Sequence, residues 1–162
     1  MILALGIAAG VTAKGGTEMK ITSPDFKNNE TIPRKFSGEG EDINPTLILE
    51  GIPKEAKSLV LIVDDPDAPR GLWTHWVVYD IPLTGRIGEN SIPGKEAIND
   101  SGRKAYHGPY PPTGTHRYFF KIYALDTMLN LKEGARRPDV EKAMQGHILD
   151  KAELMGLYKR TR

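Results

Sequence analysis

The run Lys57–Asp64 constrains the fold more than any other part of the chain. It reads KSLVLIVD, so apolar and β-branched side chains follow one another without the polar alternation of a surface strand. Successive side chains of a strand point to opposite faces, and a run of this kind is therefore covered on both sides. The sequence predicts a central strand with protein packed on both faces of its sheet.

Three further segments have strand character. Residues Thr46–Gly51 are short, whereas His75–Ile81 and Arg117–Leu125 concentrate β-branched and aromatic side chains, which favour a pleated sheet. The long segment Pro82–Thr115 is dense in Gly, Pro, Asn and Ser. A connection of that length in a compact domain is usually functional or carries small elements of its own. An exposed inhibitory loop within Gly85–Gly102 is one hypothesis for it.

One helix is predicted near the C-terminus, over Pro138–Met155. Pro138 suits the first turn, where its missing N–H is harmless, and apolar residues follow at helical spacing. Gly156 is a suitable stop. Several strands followed by one late helix predict a mainly β fold, with two packed antiparallel sheets and a C-terminal helix.

Charge and cysteine content exclude several classes of protein. Lys and Arg number 22 against 21 Asp and Glu, for a net charge of +1. A chain so balanced has no global field with which to hold nucleic acid. It contains no cysteine, which excludes disulfides, thiolate nucleophiles and cysteine-ligated zinc.

The N-terminus allows two interpretations. Residues Ile2–Val11 form an apolar run too short to span a bilayer, similar to the core of a signal peptide with Val11–Ala13 as its cleavage site. The usual positive residues before such a run are absent, and Met19 is an alternative natural start. We expect a leader or upstream segment at 1–18 and one domain at 19–162. The protein is cytoplasmic if Met19 is the start and exported if the run is a signal segment.

Three polar segments adjoin the predicted strands. Residues Asp65–Pro69 (DPDAP) follow the central strand, Trp73–Trp76 (WTHW) open the next, and Gly114–Tyr118 (GTHRY) lead into the last. Each lies beside a loop stiffened by Pro or shaped by Gly, so their polar groups could converge on one pocket. The ordinary alternative is a rigid turn with solvated acids and partly buried histidines.

The residue types in these segments suit an anion. The imidazoles of His75 and His116 can donate hydrogen bonds to an oxyanion, and a carboxylate such as Asp65 would keep the rings charged and oriented. Arg117 is expected to be structural, pairing with Asp67 to hold two loops together. The sequence thus predicts a small anion pocket for phosphate, sulfate or a carboxylate head group.

Taken together, in this order and spacing, the three segments resemble the signature of the phosphatidylethanolamine-binding protein family, also called Raf kinase inhibitor-like proteins. The resemblance extends over Met19–Arg160. The opening residues Lys20–Pro24 and the segment Gly146–Leu149 are similar to the prokaryotic branch.

The resemblance implies a Greek-key arrangement of two antiparallel sheets and a phosphate-binding pocket without a cofactor. Its anion-binding residues correspond to Asp65, His75 and His116. Its walls and rim correspond to Pro69, Trp73, Tyr110 and Tyr118. Family members modulate kinases or inhibit serine proteases, and prokaryotic members often pair, so we expect a homodimer.

The leading hypothesis is a non-catalytic anion-binding module that regulates or inhibits a partner such as a kinase or a serine protease. One rival is a protease inhibitor that acts through an exposed loop. The other is a metal-dependent hydrolase built on Asp65, Asp67 and the two histidines, although no HExxH spacing supports it and no GxSxG marks a serine nucleophile. We expect no catalytic residue and no metal site.

Overall fold

The computed structural model describes residues 16–161, so the predicted leader lies outside the described residues except for 16–18. No helix in this part of the chain is long and apolar enough to cross a membrane. The strands are β1 (Lys20–Thr22), β2 (Glu30–Thr31), β3 (Leu47–Glu50), β4 (Ser58–Asp65), β5 (Trp73–Ile81), β6 (Arg86–Ile87), β7 (Lys95–Glu96), β8 (Thr115–Leu125) and β9 (Ile148–Lys159). The helices are a 3₁₀ turn at Arg34–Phe36 and α1 at Arg137–Met144.

These strands form two sheets, which confirms the predicted fold class. The smaller sheet has the order β1-β3-β6 and the larger has the order β2-β9-β8-β4-β5-β7. Neighbouring strands run antiparallel, except that β2 pairs parallel with β9. All eight residues of β4 are buried, as the continuous apolar run predicted.

Each of the four predicted strands is present within two residues of its expected bounds. The differences matter for two of them, because β5 begins at Trp73 and β8 begins at Thr115. His75 and His116 therefore lie inside paired strands rather than at strand mouths. Pairing with Tyr158 fixes the backbone of His116. His75 lies at a bulge between the paired residues Thr74 and Trp76, and its carbonyl accepts a hydrogen bond from Asn99 at 3.0 Å.

The predicted helix Pro138–Met155 is wrong beyond Met144. The chain turns at Gly146, which has a φ of +79°, and then forms the 12-residue strand β9. Val140 and Met144 are buried as the helical spacing required, but Ile148 is 45% exposed. Pairing with β8 along its whole length outweighs the helical spacing of a few apolar residues. Gly156, read as a helix stop, lies within β9.

The two faces of β4 contribute to two different cores. Leu59, Leu61 and Val63 pack in the main core between the sheets. Val60 and Ile62 pack in a second core beneath α1, together with Val77, Tyr79, Leu125, Val140 and Met144. Because successive side chains of β4 point to opposite faces, this one strand packs against both cores of the domain.

An ion network beside the second core attaches α1 to the sheet. Asp64, at the penultimate position of β4, is fully buried, and its Oδ2 accepts hydrogen bonds from Lys121 at 2.9 Å and Arg137 at 2.8 Å. Arg137 also donates to Glu141 at 2.6 Å. A buried carboxylate is tolerated only when its charge is compensated, and here one strand and one helix supply the cations.

Close packing at Gly156 predicts a size limit in β9. A methyl group there would lie 2.8 Å from the Phe26 ring and closer still to Ile32, both of which are buried. Gly156→Ala should lower the free energy of unfolding by about 1–3 kcal/mol, the usual cost of overpacking a core. Chemical denaturation measures it. Gly88→Ala is the matched control, because a methyl group there meets nothing within 4 Å. Equal stability of the two variants would contradict the packing argument.

Candidate functional site

The centre of the site is a buried hydrogen bond between β4 and β8. Nδ1 of His116 lies 2.7 Å from Oδ2 of Asp65, and the two side chains are 8% and 5% exposed. The carboxylate can only accept here, so Nδ1 carries the hydrogen. Nε2 is then the ring nitrogen left for a ligand. The sequence-predicted contact between an acid and an imidazole is present in the structure.

The DPDAP loop is held in place by its own acids. The second oxygen of Asp65 accepts the backbone N–H of Asp67 at 2.7 Å. The Asp67 carboxylate accepts three hydrogen bonds from Arg117, each 2.9 Å, from the backbone N–H, Nε and an Nη. These hydrogen bonds lower the pKa of Asp67 to about 2. Arg117 therefore ties the loop after β4 to β8, and its guanidinium is committed to that contact.

His75 is oriented by a backbone carbonyl instead of a carboxylate. Its Nδ1 donates to the carbonyl oxygen of His107 at 2.6 Å, and the residue is 5% exposed. Burial is the main cause that lowers the pKa of His75 to about 4. The ring is therefore neutral near pH 7. The expectation that a neighbouring carboxylate keeps both rings charged is wrong for His75, because desolvation outweighs the attraction of Asp65.

Tyr118 joins the two imidazoles into one cluster. Its ring centre lies 5.2 Å from that of His75 in an edge-on contact and 6.5 Å from that of His116 in a stacked one. The residue is 1% exposed, and burial raises the pKa of its hydroxyl well above the usual value. Tyr118 thus forms an uncharged wall between the two rings.

The other predicted wall residues differ in position. Trp73 is half-buried and lies opposite Asp65 in the β4–β5 register. Tyr110 is 50% exposed, and its ring packs against the guanidinium of Arg160. Pro69 is exposed on the loop after β4. Of these three residues, the structure places Trp73 directly opposite Asp65.

His107 belongs to the site, although it is not among the site residues predicted from the sequence. Its ring stacks on His75 with centres 5.7 Å apart and planes 15° from parallel. Its Nδ1 lies 3.6 Å from Asp42, beyond hydrogen-bond range, while Asp42 accepts the N–H of Gly108 at 2.6 Å. His107 lies in the long segment between β7 and β8, without a strand pattern around it. The only available signal was a histidine directly before Gly108-Pro109.

A buried asparagine positions the His107 segment against β5. Asn99 is 1% exposed, and its side-chain amide donates to the carbonyls of His75 at 3.0 Å and Ala105 at 2.9 Å. Its side-chain oxygen accepts backbone N–H groups of Ser101 and Arg103. One side chain thereby shapes the turn that returns the chain to His75, so the loop is ordered without regular secondary structure.

Neither a metal cluster nor cavity size marks the site. In the described range 16–161, no three His, Cys, Asp or Glu side chains are placed to hold a metal ion. A large cavity of about 860 Å³ lies elsewhere, lined by residues 16–18, 51–55 and 149–150. None of the residues described as lining it is a histidine. The chemistry of the cluster, rather than the volume of a cavity, identifies the candidate site.

Comparison with known proteins gives one consistent result. Residues 22–159 match the family model of phosphatidylethanolamine-binding proteins. A UPF0098 protein of Pyrococcus abyssi is 49% identical, over 99% of this chain and 94% of its own length. A UPF0098 protein of Aquifex aeolicus is 49% identical, over 90% of this chain and 91% of its own.

Solved structures agree. A phosphatidylethanolamine-binding protein homologue from Chlamydia trachomatis superimposes with a TM-score of 0.86 at 42% identity, over 89% of this chain and 99% of that one. The Escherichia coli protein YbcL, described as a member of the mammalian family, has a TM-score of 0.82 at 27% identity, over 90% of this chain and all of that one. The fold, the family model and the relatives together show that the chain belongs to the phosphatidylethanolamine-binding protein family.

Proposed function

We propose that the protein is a non-catalytic binding module whose pocket takes one small oxyanion of the phosphate type. The observation that carries the proposal is the arrangement of the two imidazoles around Tyr118. Each ring has its Nδ1 committed to a fixed acceptor, the Asp65 carboxylate for His116 and the His107 carbonyl for His75. Each ring therefore offers Nε2 to a ligand, from an orientation set before the ligand arrives.

The tautomers make anion binding dependent on protons. A neutral ring with its hydrogen on Nδ1 presents Nε2 as an acceptor, which repels a fully ionised oxyanion. An oxyanion that approaches His75 must either bring a proton or cause the ring to take one up. Phosphate near neutral pH can bring its own proton, because its second ionisation falls near pH 6. Sulfate cannot, so its binding should be coupled to proton uptake.

No chemical step is assigned to the cluster. One oxygen of Asp65 accepts a hydrogen bond from His116 and the other accepts the backbone N–H of Asp67, so neither oxygen is free to activate a water. Asp67 is held by Arg117 in the same way. These contacts leave neither carboxylate free as a general base, and they support a rigid receptor for a ligand. We also propose that the occupied pocket regulates a partner protein, either a kinase or a protease. The ligand in the pocket would carry a phosphate-type group in both cases.

A second candidate function rests on a different surface. The loop after β6 is held in place by Asn44, which is 3% exposed. The side-chain oxygen of Asn44 accepts the N–H of Ser91 at 2.9 Å, and its side-chain amide donates to the carbonyl of Gly88 at 2.8 Å. The next residue, Ile92, is 71% exposed and precedes Pro93. We propose this rigid loop as a protease-binding element, because an ordered loop loses little entropy on binding.

Ile92→Asp should abolish inhibition of an elastase-like serine protease while leaving the melting temperature unchanged. If the wild-type protein does not inhibit the protease, this candidate function is rejected.

A homodimer is proposed as well, through the long segment between β5 and β8. Light scattering at micromolar concentrations decides this point. A single species near the 17.9 kDa of one chain would contradict it.

Sulfate binding tests the pocket. At pH 5.5 calorimetry should show binding to the wild type, and His116→Ala should weaken it about 10- to 100-fold, the value of a hydrogen bond to a charged group. His147→Ala is the matched control, since that exposed ring pairs with Asp126 just beyond the opposite end of β8. Repeating the titration in buffers of different ionisation enthalpy should reveal proton uptake. Absence of binding in the wild type, or equal affinity in His116→Ala, would reject the anion pocket.

The neutral state of His75 predicts a specific loss of stability in acid. The unfolded chain protonates this ring below about pH 6.5, whereas the folded protein does so only near pH 4. His75 therefore costs no stability above pH 6.5, and the cost grows to about 3 kcal/mol as the pH falls to 4. His75→Asn keeps a donor near Nδ1 but does not titrate. Denaturation in chloride buffers at pH 7 and pH 4.5 should show a smaller pH effect in the variant; parallel losses would contradict a buried neutral imidazole.

A further inference from the structure

The pairing of β5 with β4 is irregular at His75. Trp76 pairs with Val63 of β4. Thr74 pairs with Asp64, which is the very next residue of β4. One residue of β5, His75, is therefore left over between two consecutive pairs. Such a bulge changes the direction of the side chain that it carries, so the position of the His75 ring depends on what holds the bulge.

The bulge places His75 on the side of the sheet where the candidate site lies. Consecutive residues of a regular strand point to opposite faces. Trp76 and Tyr118 both pack in the main core, yet the ring centre of His75 lies 5.2 Å from that of Tyr118. Thr74 lies on the other face, where its hydroxyl oxygen is 3.3 Å from an Nη of Arg137. Without the extra residue, His75 would face the layer of α1 and point away from the site.

A bulge also interrupts the regular hydrogen bonds of a strand. On the outer edge of β5, β7 pairs with Val78 and Tyr79. Further along this edge come the backbone groups of His75 and Thr74, both of which are buried residues. Buried N–H and carbonyl groups without a hydrogen bond are costly, so the bulge needs partners of another kind.

Two consecutive residues, Asn99 and Asp100, supply these partners. The side-chain amide of Asn99 donates to the carbonyl of His75 at 3.0 Å. Asp100 makes two contacts with Thr74: its carboxylate accepts the Thr74 N–H at 2.7 Å, and its own N–H donates to the Thr74 carbonyl at 3.0 Å. Asp100 thus takes the place of a strand partner at the residue before the bulge. Its side chain is exposed, so this contact is made at the surface of the domain.

We propose that Asp100 is a positioning residue of the candidate site, which holds the bulge so that His75 faces the oxyanion pocket. This inference rests on the proposed oxyanion function, and it adds to the site a residue that acts through another one. The negative charge of Asp100 by itself opposes the binding of an anion, whereas the position that it gives to His75 favours binding. The two effects have opposite signs, so an experiment can separate them.

The first test follows the His75 ring by NMR titration without a ligand. Burial lowers the pKa of His75 to about 4 in the wild type, and the charges that act on the ring are those of His107, Asp65 and Asp64. In Asp100→Ala the ring should become partly hydrated, and its pKa should rise toward about 6.5. Loss of a negative charge alone would lower the pKa, so a rise reports a change of position. Asp100→Asn keeps a side-chain oxygen that can accept the same N–H, and the pKa of His75 should stay near the wild-type value.

The second test measures sulfate binding by calorimetry at pH 5.5. Asp100→Ala should bind sulfate about tenfold more weakly than the wild type, the lower end of the range for losing a hydrogen bond to a charged group. Asp100→Asn should bind sulfate like the wild type. In a His75→Asn background, Asp100→Ala should cause no further loss of affinity, because both changes act through the same side chain.

Asp25→Ala is the matched control. The carboxylate of Asp25 accepts the backbone N–H of another threonine, Thr46, at 2.9 Å, just before β3 of the smaller sheet. This variant loses the same kind of hydrogen bond from a loop to a strand end. Its melting temperature should fall as that of Asp100→Ala does, while the pKa of His75 and the sulfate affinity should remain those of the wild type.

The outcomes separate the two proposals. If Asp100→Ala keeps the wild-type His75 pKa and sulfate affinity, the positioning role is rejected and the oxyanion pocket stands. Equal changes in Asp25→Ala, or equal losses in Asp100→Asn and Asp100→Ala, would also overturn the positioning role. If the wild type binds no sulfate, the oxyanion function fails, while a raised His75 pKa in Asp100→Ala would still assign the bulge to Asp100.

Discussion

The last two residues of β4 are consecutive buried carboxylates, and much of the domain is organised around their compensation. Because they adjoin on one strand, Asp64 faces the layer of α1 while Asp65 faces the layer of the histidines. Asp64 takes its cations from Lys121 and Arg137, and Asp65 takes its partner from His116. Each buried carboxylate is stable only when its partners on that side of the sheet are in place. The positions of α1 and of the candidate site are therefore both fixed at the same end of β4.

This arrangement explains how a loop can build a rigid site. Asp65 fixes Asp67, Asp67 fixes Arg117, and Arg117 lies next to His116 on β8. On the other side of the cluster, Asn99 shapes the turn that brings the His107 carbonyl to His75. Both imidazoles are thus oriented by groups that are themselves held by hydrogen bonds. A site organised in advance loses little free energy to rearrangement when a ligand enters.

The sequence predicted those parts of the molecule that depend on local pattern. The apolar run before Asp65 identified β4, and the three polar segments identified Asp65, His75 and His116 as neighbours. It could not predict β9, because Ile148 and Met155 fit a helical spacing and only the pairing with β8 decides between the two structures. Nor could it identify His107, which reaches His75 through its backbone carbonyl and its ring but has no strand pattern around it. The neutral state of the His75 ring likewise follows from burial, which is a property of the folded chain.

The parallel pairing of β2 with β9 has a consequence for how the protein is made. Glu30 pairs with Gly156 and Thr31 pairs with Leu157, so the two strands of this pair lie far apart in the sequence. During synthesis, Phe26 and Ile32 leave the ribosome long before the strand that covers them. Contacts between such distant residues slow folding and leave apolar surface open meanwhile. Phe26 and Ile32 therefore stay uncovered in the nascent chain until β9 has been synthesised.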